Sequence, residues 1–299
     1  MIAPLVSVQW LEDRRSGTAS DADAGSGGPE GGRPGGVVAS EVVASEVVVA
    51  DVRWYLDGRS GLDAYLEGHI PGAVFVDLER LLSRPGGPSD GRHPLPDAAA
   101  FAEGLGALGI SDTATVVAYD DAGGVIAARL VWMLRVTGHE AALLDGGIGA
   151  WPGPLETQPS TLPSLQRRVV RWPADRLADI DEVANPDLVL LDARDANRFR
   201  GDFEPVDPRG GHIPGARNVP CRNMLDTDSR ILPSATLRER FEAAGVTDDI
   251  DVVSYCGSGV TACFNLLALE VAGFPAGRLF PGSWSQYSHA AERPVARGD

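Results

Sequence analysis

The chain has 299 residues, enough for about two domains with a core each, and its composition is that of an ordinary globular protein apart from 36 Gly and 22 Pro. A net charge of −16 argues against nucleic acid or an anionic membrane as partner, and no apolar run approaches the ~20 residues that span a bilayer. Three cysteines with no CxxC pair and no Cys/His spacing exclude a disulfide framework and a zinc site, so a reducing, cytoplasmic setting is expected.

In chain order, Pro4 to Arg15 reads as a short strand and a helical turn with Ser7 as N-cap, and Met1 to Trp10 lacks the basic and long apolar regions of a secretory leader. The Gly-, Ser- and Asp-rich stretch at about 16–36 is expected to be a flexible surface insertion, and Val38 to Val47 carries a short tandem duplication. A buried-type strand follows at Val47 to Val52. From there the sequence repeats itself. Asp51-Val52-Arg53 returns as Asp192-Ala193-Arg194, and Gly68-His69-Ile70-Pro71-Gly72-Ala73 returns as Gly211-His212-Ile213-Pro214-Gly215-Ala216. Gly109 to Asp120 aligns without a gap on Gly245 to Cys256, a shift of 136, and Leu144-Asp145-Gly146-Gly147 is set opposite Leu279-Phe280-Pro281-Gly282.

A shift near 140 through both halves means a duplicated α/β unit. Within the first unit, strands at Val116–Tyr119 and Ala141–Leu144 flank a helix at Val125–Val136, which predicts a parallel sheet with helices on both faces. The expected organisation is a first domain over 1–155, a Pro-rich connector over 156–174 and a second domain over 175–299, with a frayed tail from Ala290.

The stretch that carries chemistry is Val252-Val253-Ser254-Tyr255-Cys256-Gly257-Ser258-Gly259-Val260-Thr261, followed by a helix over Ala262–Val271. A β-branched strand delivers a thiol into a Gly-rich turn at a helix N-terminus. Such a turn can aim backbone N–H groups at the sulfur, and the helix end favours an anion. Cys256 is therefore the candidate nucleophile, whereas Cys221 and Cys263 read as buried small hydrophobes. Thr261 is expected to cap the helix and to bond the loop. Arg53 and Arg194 are expected to brace carboxylates in their own halves, and Trp132, Trp151 and Trp284 to sit in cores or at the domain interface.

The paired Gly-His-Ile-Pro-Gly-Ala motifs, the Asp-Ala-Arg after a strand and the Cys-Gly-Ser-Gly-Val-Thr loop together resemble the two-domain rhodanese sulfurtransferases, over about Leu5 to Tyr287. The resemblance implies an α/β fold of two tandem rhodanese-like domains. It implies sulfane sulfur moving from a small donor, 3-mercaptopyruvate or thiosulfate, through a Cys256 persulfide to a thioredoxin-like protein, a small thiol or cyanide, without a cofactor. Gly257, Gly259, Val260 and Thr261 would form the anion cradle, with Ser258 polarising the donor. Asp120 stands where the second half has Cys256, so the first domain is expected to be chemically silent.

Thiosulfate-type members resemble Cys-Arg-Lys-Gly-Val-Thr in this loop, whereas the neutral loop here is similar to that of 3-mercaptopyruvate sulfurtransferases. In that subgroup two arginines before the second Gly-His motif hold the donor. Arg198 matches the first, and Val206 stands near the second, with Arg209 as the nearby substitute. A histidine in the silent half, with an aspartate upstream, assists the loop serine in the family. His69 and Asp63 are the matching candidates, although a histidine in such a turn otherwise serves structure, as His212 is expected to do. Two other classes share the loop. A Cys-dependent phosphatase, or an arsenate reductase, needs a loop arginine where this chain has Ala262. A non-catalytic binding module would make no use of the thiol.

Overall fold

A computed structural model describes residues 1–16 and 46–298. The Gly-rich insertion after Ser16, and the duplicated stretch as far as Ser45, lie outside the described residues. The first half runs β1 (Leu5–Val6), α1 (Val8–Arg15), β2 (Val47–Asp51), α2 (Gly61–Glu67), β3 (Val74–Phe75), α3 (Leu78–Leu81), α4 (Ala98–Ala107), β4 (Thr115–Tyr119), α5 (Ala128–Val136) and β5 (Ala141–Leu144). The second half runs β6 (Val189–Asp192), α6 (Ala196–Arg200), β7 (Arg217–Asn218), α7 (Ser234–Ala243), β8 (Val252–Tyr255), α8 (Ala262–Val271), β9 (Arg278–Leu279) and α9 (Ser283–Tyr287). Ser7 caps α1 as expected, its hydroxyl accepting the Trp10 N–H. No helix among the described residues is long and apolar enough to cross a membrane.

Each half forms one parallel sheet, in the order β1-β5-β4-β2-β3 for the first and β7-β6-β8-β9 for the second. The strands are apolar on both faces because helices cover both. In the first sheet Val48, Ala50, Val116 and Ala118 join one core cluster, while Val49, Val117 and Tyr119 join another on the opposite face. The first of these clusters does not stop at the domain. It runs through Leu130, Val131 and Leu134 of α5 into Phe264, Leu267 and Ala268 of α8, which packs against α5. One continuous core therefore joins the two sheets.

The structure corrects three expectations. Ala118 pairs with Leu143 and Ser254 with Leu279, so the repeat keeps its shift of 136 through β5 and β9. The alignment of Leu144 on Leu279 slips by one, because both ladders have a leucine at or beside the pairing position. The helix expected from Val125 begins at Ala128, since Gly123 and Gly124 take positive φ and Val125–Ala127 complete the turn. The tail is not frayed: Ala296 exchanges backbone hydrogen bonds with His212, at 2.9 and 3.0 Å, and so closes over the second Gly-His turn.

The paired Gly-His-Ile-Pro-Gly-Ala motifs have one structural job. His69 stacks on Tyr65 and its Nδ1 meets the Tyr65 carbonyl at 2.8 Å; His212 stacks on Phe199 and meets the Phe199 carbonyl at 2.9 Å. The next N–H donates to the tyrosine that ends the central strand, Ile70 to Tyr119 and Ile213 to Tyr255. Arg53 and Arg194 behave as expected, each forking onto its own strand-end carboxylate, Asp51 or Asp192, at 2.6 Å and onto the Gly68 or Gly211 carbonyl at 2.7 Å.

Candidate active site

β8 ends at Tyr255 and hands Cys256 to a loop whose carbonyls are turned outward. Trp284 N–H donates to the Cys256 carbonyl and Ser285 N–H to that of Gly257, so α9 holds the outer edge of the loop. The inner edge is left with its N–H groups. Gly259 N–H lies 3.1 Å from Cys256 Sγ, and those of Gly257, Ser258 and Val260 are unspent among the described contacts. Gly259 has to be glycine: φ is +76° and a Cβ would stand 2.6 Å from the Pro281 carbonyl oxygen. Val260 is buried in the continuous core and anchors the loop there. Thr261 sits at the N-cap position of α8 without a capping hydrogen bond and lies against Cys221, so it does not cap as expected.

The first domain reaches over this loop with one short segment. Gly91 packs on the Gly282 carbonyl, Arg92 N–H donates to Ser285 Oγ at 2.9 Å, and His93 Nδ1 meets Ser258 Oγ at 2.7 Å. From below, the fully buried Arg129 of α5 donates to the carbonyls of Gly259 and His93 at 2.7 and 3.0 Å. Its hydrogen bonds go to backbone carbonyls, and no carboxylate among the described residues pairs with it under the loop. Burial, then Arg92 and Arg129, push the His93 pKa down to about 3, and the ring is neutral near pH 7.

A cleft of about 480 Å3 opens beside the loop, lined among others by Trp54, Tyr55, Arg194, Arg198, Gly257 and Thr261. Arg198 enters it from α6, held by Glu204 at 2.6 Å and Asp207 at 3.3 Å. The chain thus brings Cys256, Gly257, Ser258, Gly259, Val260, Thr261 and Arg198 together. It does not bring His69 or Asp63. His69 spends its Nδ1 on Tyr65 and its backbone on Glu156 at the start of the connector, while Asp63 is an exposed first-turn residue of α2 whose N–H donates to Ser60 Oγ. The histidine on Ser258 is His93, 165 residues away in sequence. Arg209 is also excluded, because its guanidinium is consumed by the carbonyls of Tyr287, Ser288, Ala290 and Arg293. Sequence reasoning missed His93 and Arg92. Their one signal is a difference inside the repeat: Gly91-Arg92-His93, before Leu95-Pro96, returns as Ser229-Arg230-Ile231 before Leu232-Pro233, so the histidine has no counterpart.

The equivalent loop of the first domain shows what such a turn holds. Asp120 is fully buried, and its carboxylate accepts four N–H groups, from Ala122, Gly124, Ile126 and Ala127, at 2.7 to 2.9 Å. At a shift of 136 the first two fall on Ser258 and Val260, whose N–H groups are unspent.

The sequence profile of the rhodanese-like domain matches twice, at residues 39–153 and 174–290. The chain belongs to the rhodanese family. It is 45% identical over 260 residues to a Pseudomonas aeruginosa protein named "Probable 3-mercaptopyruvate sulfurtransferase", covering 83% of this chain and 92% of the relative. It is 43% identical over 257 residues to the Mycobacterium tuberculosis "Putative thiosulfate sulfurtransferase SseB", covering 83% and 90%. Among solved structures, the rhodanese-fold 3-mercaptopyruvate sulfurtransferase SseA from Escherichia coli superposes with a TM-score of 0.74 at 28% identity, covering 95% of this chain and 99% of that one. The chain is a two-domain rhodanese sulfurtransferase. Its relatives carry both donor names, so donor choice has to be argued from the site.

Proposed function

We propose that this sulfurtransferase takes sulfur from 3-mercaptopyruvate onto Cys256 and passes it to a thiol or cyanide acceptor. The observation that carries the donor choice is the 2.7 Å contact of Ser258 Oγ with a neutral His93, one residue pair away from the thiol. The Cys256 thiolate attacks the donor's sulfur, the new S–S bond forms, and the C–S bond breaks with its electron pair on carbon. That pair delocalises as the enolate of pyruvate, and a proton delivered to carbon gives pyruvate. With its proton on Nδ1, His93 donates to Ser258 Oγ and leaves the serine proton for the oxygen where enolate charge develops. Thiosulfate needs no such donor, because its leaving group is sulfite, already a stable anion.

The persulfide left on Cys256 extends one atom further into the loop. The four N–H groups on Asp120 in the first domain are the template for how an anion there is held; Ser258 and Val260 supply donors that match two of them, and Gly259 N–H already meets Cys256 Sγ. Arg198 binds the donor's anionic end from the cleft wall. In the second step the acceptor thiolate or cyanide attacks the outer sulfur and regenerates the Cys256 thiolate.

The test is kcat/KM for mercaptopyruvate and for thiosulfate with one common acceptor, on wild type, Ser258→Ala and Arg198→Ala. Ser258→Ala is expected to lower the mercaptopyruvate value about 100-fold, the cost of a lost oxyanion donor, while leaving thiosulfate within a few-fold. Equal losses for both donors would remove the enolate role of Ser258. A wild type that prefers thiosulfate would overturn the donor choice.

A further inference from the structure

The subgroup's second donor-binding arginine has no match near Val206, and the loop has glycine where thiosulfate-type members resemble a loop with arginine. The structure nevertheless places a second cation at the loop. A Cβ built on Gly257 would lie 3.3 Å from Arg92 Nη2 and 3.5 Å from Arg198 Nη1. The space that a loop side chain would fill is where two guanidinium groups converge, one from each domain.

Both present unspent N–H donors there. Arg198 commits Nε and Nη2 to Glu204 and reaches Asp207 with Nη2, which leaves Nη1. Arg92 commits Nη1 to Asp207 at 2.8 Å, while its Nε is buried without a partner and its Nη2 makes no hydrogen bond among the described contacts. Asp207 is nearly inaccessible, its side chain 1% exposed, and it ties the two arginines into one unit. Arg92 is also fixed in place by its backbone, whose N–H is held by Ser285 Oγ, and by His93 beside it on Ser258. A buried guanidinium nitrogen without a partner is costly, and an anionic oxygen beside Gly257 would satisfy the free donors of both arginines.

We propose that Arg92, carried by the first domain, is the second donor-binding cation of the active site, clamping the donor's carboxylate against Gly257 together with Arg198. Asp207 and Glu204 balance the two positive charges, so the clamp suits an anion of one charge better than a dianion. This extends the mercaptopyruvate reading and rests on Cys256 as the reacting thiol. The first domain then carries no reacting thiol but supplies Arg92 to binding, beside His93 on Ser258.

The test separates the cation from the donor. Iodoacetate and iodoacetamide carry the same electrophile and differ in charge, and their alkylation rates at Cys256 are read by peptide mass on wild type, Arg92→Gln, Arg92→Lys and Asp207→Asn. Arg92→Gln is expected to lower the iodoacetate-to-iodoacetamide ratio about tenfold or more, as expected for loss of one charged hydrogen-bond partner, and to raise the mercaptopyruvate KM by a similar factor. Arg92→Lys recovers part of the ratio, and Asp207→Asn raises it above wild type by unmasking both arginines. An unchanged ratio in Arg92→Gln with a wild-type melting curve overturns the proposal. If Arg92→Gln does not fold, an unchanged ratio in Asp207→Asn does the same. A ratio that falls while the mercaptopyruvate KM stays at its wild-type value supports the position of Arg92 and overturns mercaptopyruvate as the donor.

Discussion

Three thiols lie close together in the second domain, and their surroundings separate them. Burial pushes the Cys221 and Cys263 thiols up to about 12, so both are protonated near neutral pH. Cys263 donates to the Gly259 carbonyl, whereas Cys256 receives the Gly259 N–H. Cys256→Ser is therefore expected to abolish sulfur transfer and the gain of one sulfur atom in intact mass, while Cys263→Ser keeps both; loss of activity in Cys263→Ser would mean that the reacting thiol is misassigned. His93 gives a second residue-scale prediction. Its folded pKa, about 3, lies below the ordinary 6.5, so the unfolded chain binds a proton first as pH falls. The stability it contributes is complete above pH 6.5 and is lost progressively down to about 3. Melting temperature measured across that window should fall more steeply for wild type than for His93→Asn, and parallel slopes would contradict the buried neutral ring.

At the scale of the element, strand–loop–helix units of the two halves are the same device with different contents. Gly147 has φ +58° and its neighbour Ile148 N–H donates to the Asp120 carbonyl. At a shift of 136, Ser283 has φ +52° and Trp284 N–H donates to the Cys256 carbonyl. A serine is tolerated in this left-handed conformation because its Oγ accepts the Cys256 N–H at 3.2 Å and donates to the Phe280 carbonyl at 2.9 Å. Ser283→Ala keeps the backbone strain and loses both bonds, whereas Ser283→Gly loses the bonds and relieves the strain. The alanine variant should be the less stable of the two by about 1–2 kcal/mol in chemical denaturation. In the first domain, Asp120→Ala leaves four buried N–H groups facing an empty cradle. It should cost at least about 2 kcal/mol, and formate should restore part of that by refilling the cradle. A variant indifferent to formate would show that the loop collapses rather than persists.

At the scale of the molecule, the halves are interlocked in two ways. α5 and α8 share one apolar core, and each domain lays a segment over the other's loop. Gly91 to His93 covers Cys256 to Ser258, while Ser229 to Ile231 covers the first domain, with the Ser229 carbonyl against Gly123 and Ile231 N–H donating to Asp145. Unfolding by urea should therefore follow one transition, coincident by tryptophan fluorescence and far-UV circular dichroism. Two separated transitions would show that the shared core does not couple the domains. The buried Arg129 belongs to this scale too, since it ties Leu82 and His93 of the first domain to Gly259 of the second.

The sequence by itself determined the duplicated α/β fold, the strand that carries Cys256, the helix over Ala262–Val271 and the replacement of the first thiol by Asp120. These are local: β-branched runs, glycines and a constant shift along the chain carry them without knowledge of distant neighbours. Arg198 enters as a candidate through the resemblance to the mercaptopyruvate subgroup, whose first donor-binding arginine it matches. Only the tertiary structure decided that His93 rather than His69 meets Ser258, that Arg209 is spent on the tail's carbonyls, and that Arg92 converges with Arg198 beside Gly257. The contacts of His93 and Arg92 cross from one domain to the other over more than half the chain, those of Arg209 reach the tail of its own domain, and no periodicity in sequence encodes which loop of one half will lie on which loop of the other. Packing α5 against α8 sets that pairing, and with it the charges that surround the thiol.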